Sequence, residues 1–192
     1  DLRLVIFILA FTLFCASFCF YGIILSLENM KGNFFQNSMF SFFGEMIGEL
    51  SSGYLSGIYG RTKILKFGGV IGALGFLGNK FCYYNLKSFL LLIAMIGYSS
   101  TFNVLYIYTP ESIPISIRGT MCEFLFLLSR FAPFCVPILT ELIGHLIDVV
   151  FIVFGIFYGF SCFCLEETLG KDLNEEIPET SSFISKDNSN TE

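Results

Sequence analysis

Leu4-Val-Ile-Phe-Ile-Leu-Ala-Phe-Thr-Leu-Phe-Cys-Ala-Ser-Phe-Cys-Phe-Tyr-Gly-Ile-Ile-Leu-Ser-Leu27 runs for 24 residues without a charged side chain. Crossing roughly 30 Å of hydrocarbon as a helix takes about 20 apolar residues, so this stretch is long enough to span a bilayer. It is also much longer than the roughly 7–15-residue core of a secretory signal. The chain opens Asp1-Leu-Arg3 with no initiator Met, and a piece of a longer protein is the expectation.

Five more apolar runs follow. Residues 34–59 keep helical apolar spacing while carrying Glu45 and Glu49, and residues 64–82 contain Gly68, Gly69, Gly72, Gly75 and Gly78. Small residues at three- and four-residue steps allow close helix contact in lipid. Residues 88–108, 120–139 (with Glu123 and Arg130) and 146–165 (with Asp148) complete the set. The long runs lack the period-2 alternation of a barrel, and helices satisfy every backbone polar group internally. The fold class expected is an all-α membrane protein, with a six-helix bundle over 1–173 and a disordered acidic tail over 174–192.

Composition agrees: 54% hydrophobic and 14% charged, against about 45–50% and roughly 25% in soluble proteins. The net charge of −5 belongs to the tail, since residues 1–165 hold nine Lys/Arg and eight Asp/Glu, and residues 166–192 hold two and eight. Isolated basic residues between apolar runs do not make a nucleic-acid surface. Six cysteines (Cys15, Cys19, Cys122, Cys135, Cys162, Cys164) lie within apolar runs, Cys82 ends another, and no C-x-x-C occurs. Buried thiols are expected, with no metal and no cofactor.

Loop charge sets orientation. Arg3, Arg61, Lys63, Lys66, Arg118, Lys171 and Lys186 fall on one side, and Lys31, Lys80 and Lys87 on the other. By the positive-inside rule both termini are expected in the cytoplasm.

Ionisable residues at membrane depth are costly unless they meet a partner or line a cavity. Glu45 and Glu49, at i and i+4, share one helical face; each can line a cavity or ion pathway, or sit in a structural pair. Arg130, half-way along the fifth span, can hold a carboxylate by two-point contact or form a salt bridge with Glu45, Glu49 or Glu123. Asn103, with Tyr98, Phe102 and Tyr106 on or near one face of the fourth span, can contact a ligand or hydrogen-bond between helices. His145 reads as a solvated loop residue, with a pH sensor as the alternative. Walker, H-E-x-x-H, G-x-S-x-G and T-V-G-Y-G motifs are absent from the sequence, which argues against a pump ATPase, a membrane protease and a potassium channel. No enzymatic activity is expected.

Three short segments between or after the spans resemble motifs of the major facilitator superfamily. Gly53-Tyr-Leu-Ser-Gly57-Ile-Tyr-Gly60-Arg61-Thr-Lys63 resembles its G-x-x-x-D-x-x-G-R-x-R/K loop between helices 8 and 9. Tyr108-Thr-Pro-Glu111-Ser-Ile-Pro114-Ile-Ser-Ile-Arg118-Gly119-Thr120 resembles Y-x-x-E-x-x-P-T-x-x-R-G/N-x-G between helices 10 and 11, and Glu166-Glu167-Thr168-Leu169-Gly170-Lys171 resembles the P-E-T-x-G-K after helix 12. The order is right, so the chain is similar to the six-transmembrane-helix C-terminal half of a twelve-helix fold. Departures are Gly57 for Asp, Ile115 for Thr and Glu166 for Pro.

Tyr21-Gly22, Lys31-Gly32-Asn33 and Glu45 further resemble the organic cation, organic anion and carnitine transporters, and Tyr108-Thr-Pro-Glu111 with Ser129-Arg130-Phe131 the synaptic-vesicle-two-related proteins. Sugar porters share the loop motifs but fit the helix interiors less well. The resemblance implies alternating-access transport of small organic ions, anionic or zwitterionic because Arg130 stands where anion and carnitine carriers have Arg. Glu45, Asn103, Tyr98 and Tyr106 would join Arg130 at the substrate, and Gly53, Gly60, Arg61, Lys63, Glu111, Arg118 and Glu167 would form a cytoplasmic gate. The partners implied are the lipid bilayer, a small organic ion, and a missing six-helix N-terminal half or a second copy, in a plasma or vesicle membrane. A non-transporting receptor or scaffold, a degenerate half-carrier and a pore-forming channel are the rival classes.

Overall fold

The computed structural model describes residues 2–27, 33–81, 84–143 and 147–170. They form six helices: α1 (Leu2–Ser26), α2 (Phe34–Tyr59), α3 (Arg61–Phe81), α4 (Tyr84–Glu111), α5 (Arg118–Ile143) and α6 (Ile147–Phe163). There is no strand among the described residues. The expected tail over 174–192, Cys82, His145, Lys31, Lys171 and Lys186 lie outside the described residues, as do the side chains of Lys80 and Asp148.

Helix α4 is the axis of the bundle, packed against α3, α2 and α1, while α1 also meets α5 and α6, and α6 meets α3. Asn33 starts α2, its side-chain oxygen accepting the Phe35 N–H at 3.0 Å, an ordinary N-cap. Along α2 the buried residues are Asn37, Ser41, Gly44, Gly48, Ser52 and Ser56. This small, polar stripe faces α4: an added Cβ at Gly44 would meet the Leu92 carbonyl oxygen at 2.7 Å, and at Gly48 the Ile96 carbonyl oxygen at 2.7 Å. Hydrogen bonds run down the seam. Ser88 donates to Asn37 Oδ1 at 2.8 Å, Ser99 to the Glu45 carbonyl at 3.0 Å, and Asn103 to the Glu49 carbonyl and Ser52 Oγ at 3.1 and 3.0 Å. In lipid, where apolar burial does not drive helices together, close backbone approach and such bonds carry the association.

On the other side of α4, the glycines of α3 do the same. A Cβ on Gly97 would strike Gly72 N, and would lie 2.6 Å from the Gly68 carbonyl oxygen and 2.7 Å from Gly72 Cα; a Cβ on Gly75 would meet Ala94 N at 2.6 Å. Gly69 receives the ring of Tyr158, whose hydroxyl donates to the Leu65 carbonyl at 3.2 Å and ties α6 to α3.

Three helices are long and apolar enough to cross a membrane by composition alone: Leu2–Leu25, Leu86–Glu111 and Arg118–Ile143. The averages of α2 and α3 are diluted by the serines, glycines and asparagine that face α4. Their outward residues are apolar: Met39, Phe43, Met46, Leu50 and Tyr54 on α2, and Phe67, Val70, Ile71 and Leu74 on α3 are all exposed. Helix α5 carries Pro133 and Pro137 within it; each lacks an N–H and breaks the regular ladder near Arg130.

Because Gly97 lies backbone to backbone with α3 whereas nothing stands within 4 Å of a Cβ on Gly159, the two positions should respond differently to one methyl group. Gly97→Ala should lower stability by about 1–3 kcal/mol, and Gly159→Ala should stay within about 1 kcal/mol. Unfolding in detergent followed by circular dichroism measures both.

Candidate functional site

At one end of the bundle, three segments distant in sequence converge. Helix α2 ends at Gly60, whose φ of 105° suits glycine, and α3 begins at the next residue. The first amides of a helix have no partner within it. Glu167, from the segment after α6, supplies one: its Oε1 accepts the Arg61 N–H at 2.7 Å, and its Oε2 accepts the Thr62 N–H at 3.2 Å and the Thr62 hydroxyl at 2.7 Å. A negative charge there also suits the positive end of the α3 dipole. A side chain on Gly60 would collide with this carboxylate, since a Cβ would stand 2.5 Å from Oε2.

The side chain of Arg61 turns the other way, to Glu111 at the end of α4. Its Nη2 donates to Oε1 at 3.0 Å and its Nε to Oε2 at 3.3 Å, a two-point ion pair, half-buried. Thr168 donates to the same Glu111 Oε2 at 2.7 Å, and Tyr108 donates to the Glu166 carbonyl at 2.7 Å. Burial alone would raise the Glu167 carboxyl, but hydrogen bonds from the Thr62 hydroxyl and from the Leu169, Arg61 and Thr62 N–H groups outweigh it and hold it below its ordinary 4.5.

Not every residue expected at this end joins the cluster. Lys63 is exposed, Gly53 has open space around it, and so does Gly57. Arg118 donates from Nε to the Ile113 carbonyl at 3.1 Å, and its buried Nη2 has no partner. Thr62 and Thr168 were legible only as letters within the motifs; what they do depends on Glu167 and Glu111 reaching them.

A second constellation lies deeper, where α1, α4 and α5 meet. Phe20 stacks on Phe102 with centroids 5.0 Å apart, Phe102 meets Tyr106 edge-on at 5.0 Å, and Tyr106 stacks on Phe126 at 4.5 Å; Tyr21 stands edge-on to Phe102 at 5.8 Å. Arg130 follows Phe126 by one turn, roughly 18 Å along a helix about 39 Å long. Arg130 on α5 and Glu45 on α2 both lie within electrostatic reach of Tyr21. Glu45 is half-buried, while Glu49 and Arg130 are exposed. Among the described residues the ion pair within 4 Å is Arg61–Glu111. The expected alternative bridge from Arg130 to Glu45, Glu49 or Glu123 is therefore not formed.

Tyr98, expected at the substrate, is a core residue: it is 4% exposed, with its ring against Gly72 and its hydroxyl turned to Cys19 and Gly155. Its helical register carries it to the α3 side of α4. Asn103 is engaged as an interhelical tie to α2. Phe126 was missed in the sequence, although its i, i+4 relation to Arg130 signals a shared face. Six cysteines are free, and no metal-binding group of His, Cys, Asp or Glu occurs among the described residues.

The arrangement of helices has known counterparts. The chain superposes on the inward-open xylose transporter XylE from E. coli with a TM-score of 0.72 and 14% identity, covering 87% of this chain and 49% of that one. A crystal structure of the peptide transporter POT with alafosfalin gives 0.71 and 14%, covering 97% and 44%. The fold is that of one six-helix half of these transporter structures.

Curated relatives point the same way. The Beta-alanine transporter of Drosophila melanogaster is 27% identical over 124 residues, 63% of this chain and 20% of that protein. The Organic cation/carnitine transporter 4 of Arabidopsis thaliana is 27% identical over 169 residues, 85% of this chain and 32% of that protein. The chain thus spans a third or less of the length of these relatives. They are transporters rather than enzymes. No protein-family model matches the chain.

In this fold the three motif segments occupy one end of the half, and Arg61, Glu111 and Glu167 bring one residue from each into contact. Since the Glu167 carboxyl titrates below its unfolded value, its contribution is present above about 4.5 and is lost as pH falls through the lowered value. Glu167→Gln should weaken the union of α3 with the segment after α6 at neutral pH and remove that acid dependence. Hydrogen exchange of the Arg61 and Thr62 amides between pH 3 and 7 measures it.

Proposed function

We propose that the chain is the C-terminal half of a secondary carrier for small anionic or zwitterionic organic solutes. In this reading two six-helix halves rock about a midplane site and open it to each side in turn. The observation that carries it is Arg130, exposed on the α5 face beside Tyr106 and Phe126 and paired with no carboxylate among the described residues. An unpaired guanidinium at membrane depth is costly. It is best explained by a carboxylate that comes and goes, held by two-point hydrogen bonds.

Glu45, within electrostatic reach of the same Tyr21 as Arg130, is suited to a substrate ammonium or a proton. Tyr106, with Tyr21, Phe102 and Phe126, supplies an aromatic wall on which a cationic group can rest. The names of the two relatives fit, since β-alanine and carnitine each carry one carboxylate and one cationic nitrogen. At the motif end, Arg61, Glu111 and Glu167 hold the half closed on itself, with Gly60 admitting the carboxylate, and Lys63, Arg118 and Gly53 border the closure. That end is assigned to the cytoplasm by its loop charges, in a plasma or vesicle membrane.

Uptake of labelled carnitine, β-alanine and simple carboxylates into proteoliposomes by the full-length protein tests the reading. Arg130→Ala should lower kcat/KM for carboxylate substrates by roughly 10- to 100-fold, the worth of a charged hydrogen-bond pair, and Arg130→Lys should retain part of the activity. Unchanged uptake in Arg130→Ala would remove its assigned role, and absence of flux for every carboxylate would favour a non-transporting receptor.

A further inference from the structure

Helix α2 carries two carboxylates at membrane depth, Glu45 and Glu49, and among the described residues neither forms an ion pair within 4 Å. Their backbone is tied. Ser99 donates from Oγ to the Glu45 carbonyl at 3.0 Å, and Asn103 donates from Nδ2 to the Glu49 carbonyl at 3.1 Å. The donors stand four residues apart on α4 and the acceptors four apart on α2, so each set lies on one helical face. The two helices are thus matched turn for turn over the stretch that bears the charges.

The seam around these bonds is smooth. Gly44 lies against the Leu92 carbonyl, Gly48 lies against the Ile96 carbonyl, and a Cβ on Gly48 would strike Ser99 Oγ. Glycines let the two backbones approach, but they raise no ridges that resist rotation or sliding of α2 on α4. Two carboxylates at i and i+4 repel each other, so the turn that carries them needs directional restraint. A donor bound to a main-chain carbonyl supplies it without occupying a carboxylate, because that oxygen has a second lone pair beyond the one used in the helix. Ser99 is 1% exposed, and water does not compete for its bond. Asn103 also donates to Ser52 Oγ at 3.0 Å, which extends the restraint by one more turn.

We infer that Ser99 and Asn103 are positioning residues, which fix the Glu45–Glu49 turn of α2 at the depth and rotation where Glu45 meets the cationic nitrogen of a zwitterionic solute. The choice of solute rests on the carrier reading above; the placement of the turn does not. Asn103 then acts through the backbone of Glu49 and through Ser52 rather than at the solute. A third bond of the same seam provides the contrast. Ser88 donates from Oγ to Asn37 Oδ1 at 2.8 Å, joining two side chains about 12 Å along α2 from Glu45. It holds the helices together and touches no turn that bears a carboxylate.

Two measurements on the full-length protein test this. In proteoliposomes, Ser99→Ala should lower kcat/KM for labelled carnitine by roughly 2- to 10-fold, the worth of one hydrogen bond. Uptake of butyrate, which lacks the cationic nitrogen, should not change. Glu45→Gln should give the same selective loss, and adding Ser99→Ala to it should cost little more, as coupled residues do. Ser88→Ala should leave the ratio of the two solutes intact. Equal losses for carnitine and butyrate, full additivity with Glu45→Gln, or the same shift in Ser88→Ala would overturn the assignment. Labelling by a water-soluble carbodiimide, read by mass spectrometry, follows the turn without any flux. Ser99→Ala should change the labelling rate of Glu45, and Asn103→Ala that of Glu49, by about twofold or more, with the exposed Glu123 as an unchanged reference. If the unsubstituted protein carries neither solute, the carrier reading fails by itself and the labelling decides the positioning. Labelling rates that neither substitution moves would refute it.

Discussion

Glu167 closes a gap that the helix geometry itself opens. Helix α3 begins one residue after α2 ends, with no room for a local capping side chain, and its first amides would otherwise lie half-buried without acceptors. A carboxylate from 106 residues further along the chain fills that need. In doing so it fixes the segment after α6 against the α2–α3 corner. Arg61 is then free to turn its guanidinium to Glu111, which draws in the end of α4 and Thr168. One cap thus organises the whole motif end of the bundle, and Gly60 is needed both for its positive φ and for the approach of the carboxylate.

Between the ends, lipid imposes a different economy. Helices gain little by hiding apolar side chains from apolar solvent, so contact is built from missing side chains and from hydrogen bonds. Helix α4 has such a seam on either side, with Gly44, Gly48, Ser52 and Asn103 towards α2, and Gly68, Gly72 and Gly97 towards α3. Helix α5 packs mainly on α1 and touches α4 little. It is there, beside Pro133 and Pro137, that Arg130 stands without an ion-pair partner.

The charged residues divide by what satisfies them. Arg61 has Glu111, and Glu167 has the α3 amides and Thr62. Glu45 and Arg130 both lie within electrostatic reach of Tyr21 in the aromatic row, and neither has an ion-pair partner among the described residues. The first set holds structure, and the second is the one that the proposed carrier reading uses.

Hydropathy and spacing along the chain determined the helical membrane fold and the three loop motifs, because both are local properties: twenty apolar residues need a helix in lipid whatever surrounds them. Glu45 and Arg130 could be marked for the same reason, since a charge at membrane depth is costly in any register. The structure alone decided which partner each charge meets. Arg61–Glu111 and Glu167–Thr62 join residues 50 and 105 apart, and such contacts depend on how far each helix is rotated about its own axis. Rotation also explains Tyr98 and Phe126: both were visible as aromatic residues, but only the packing of α4 on α3 turned the first into the core, and only the meeting of α5 with α4 stacked the second on Tyr106.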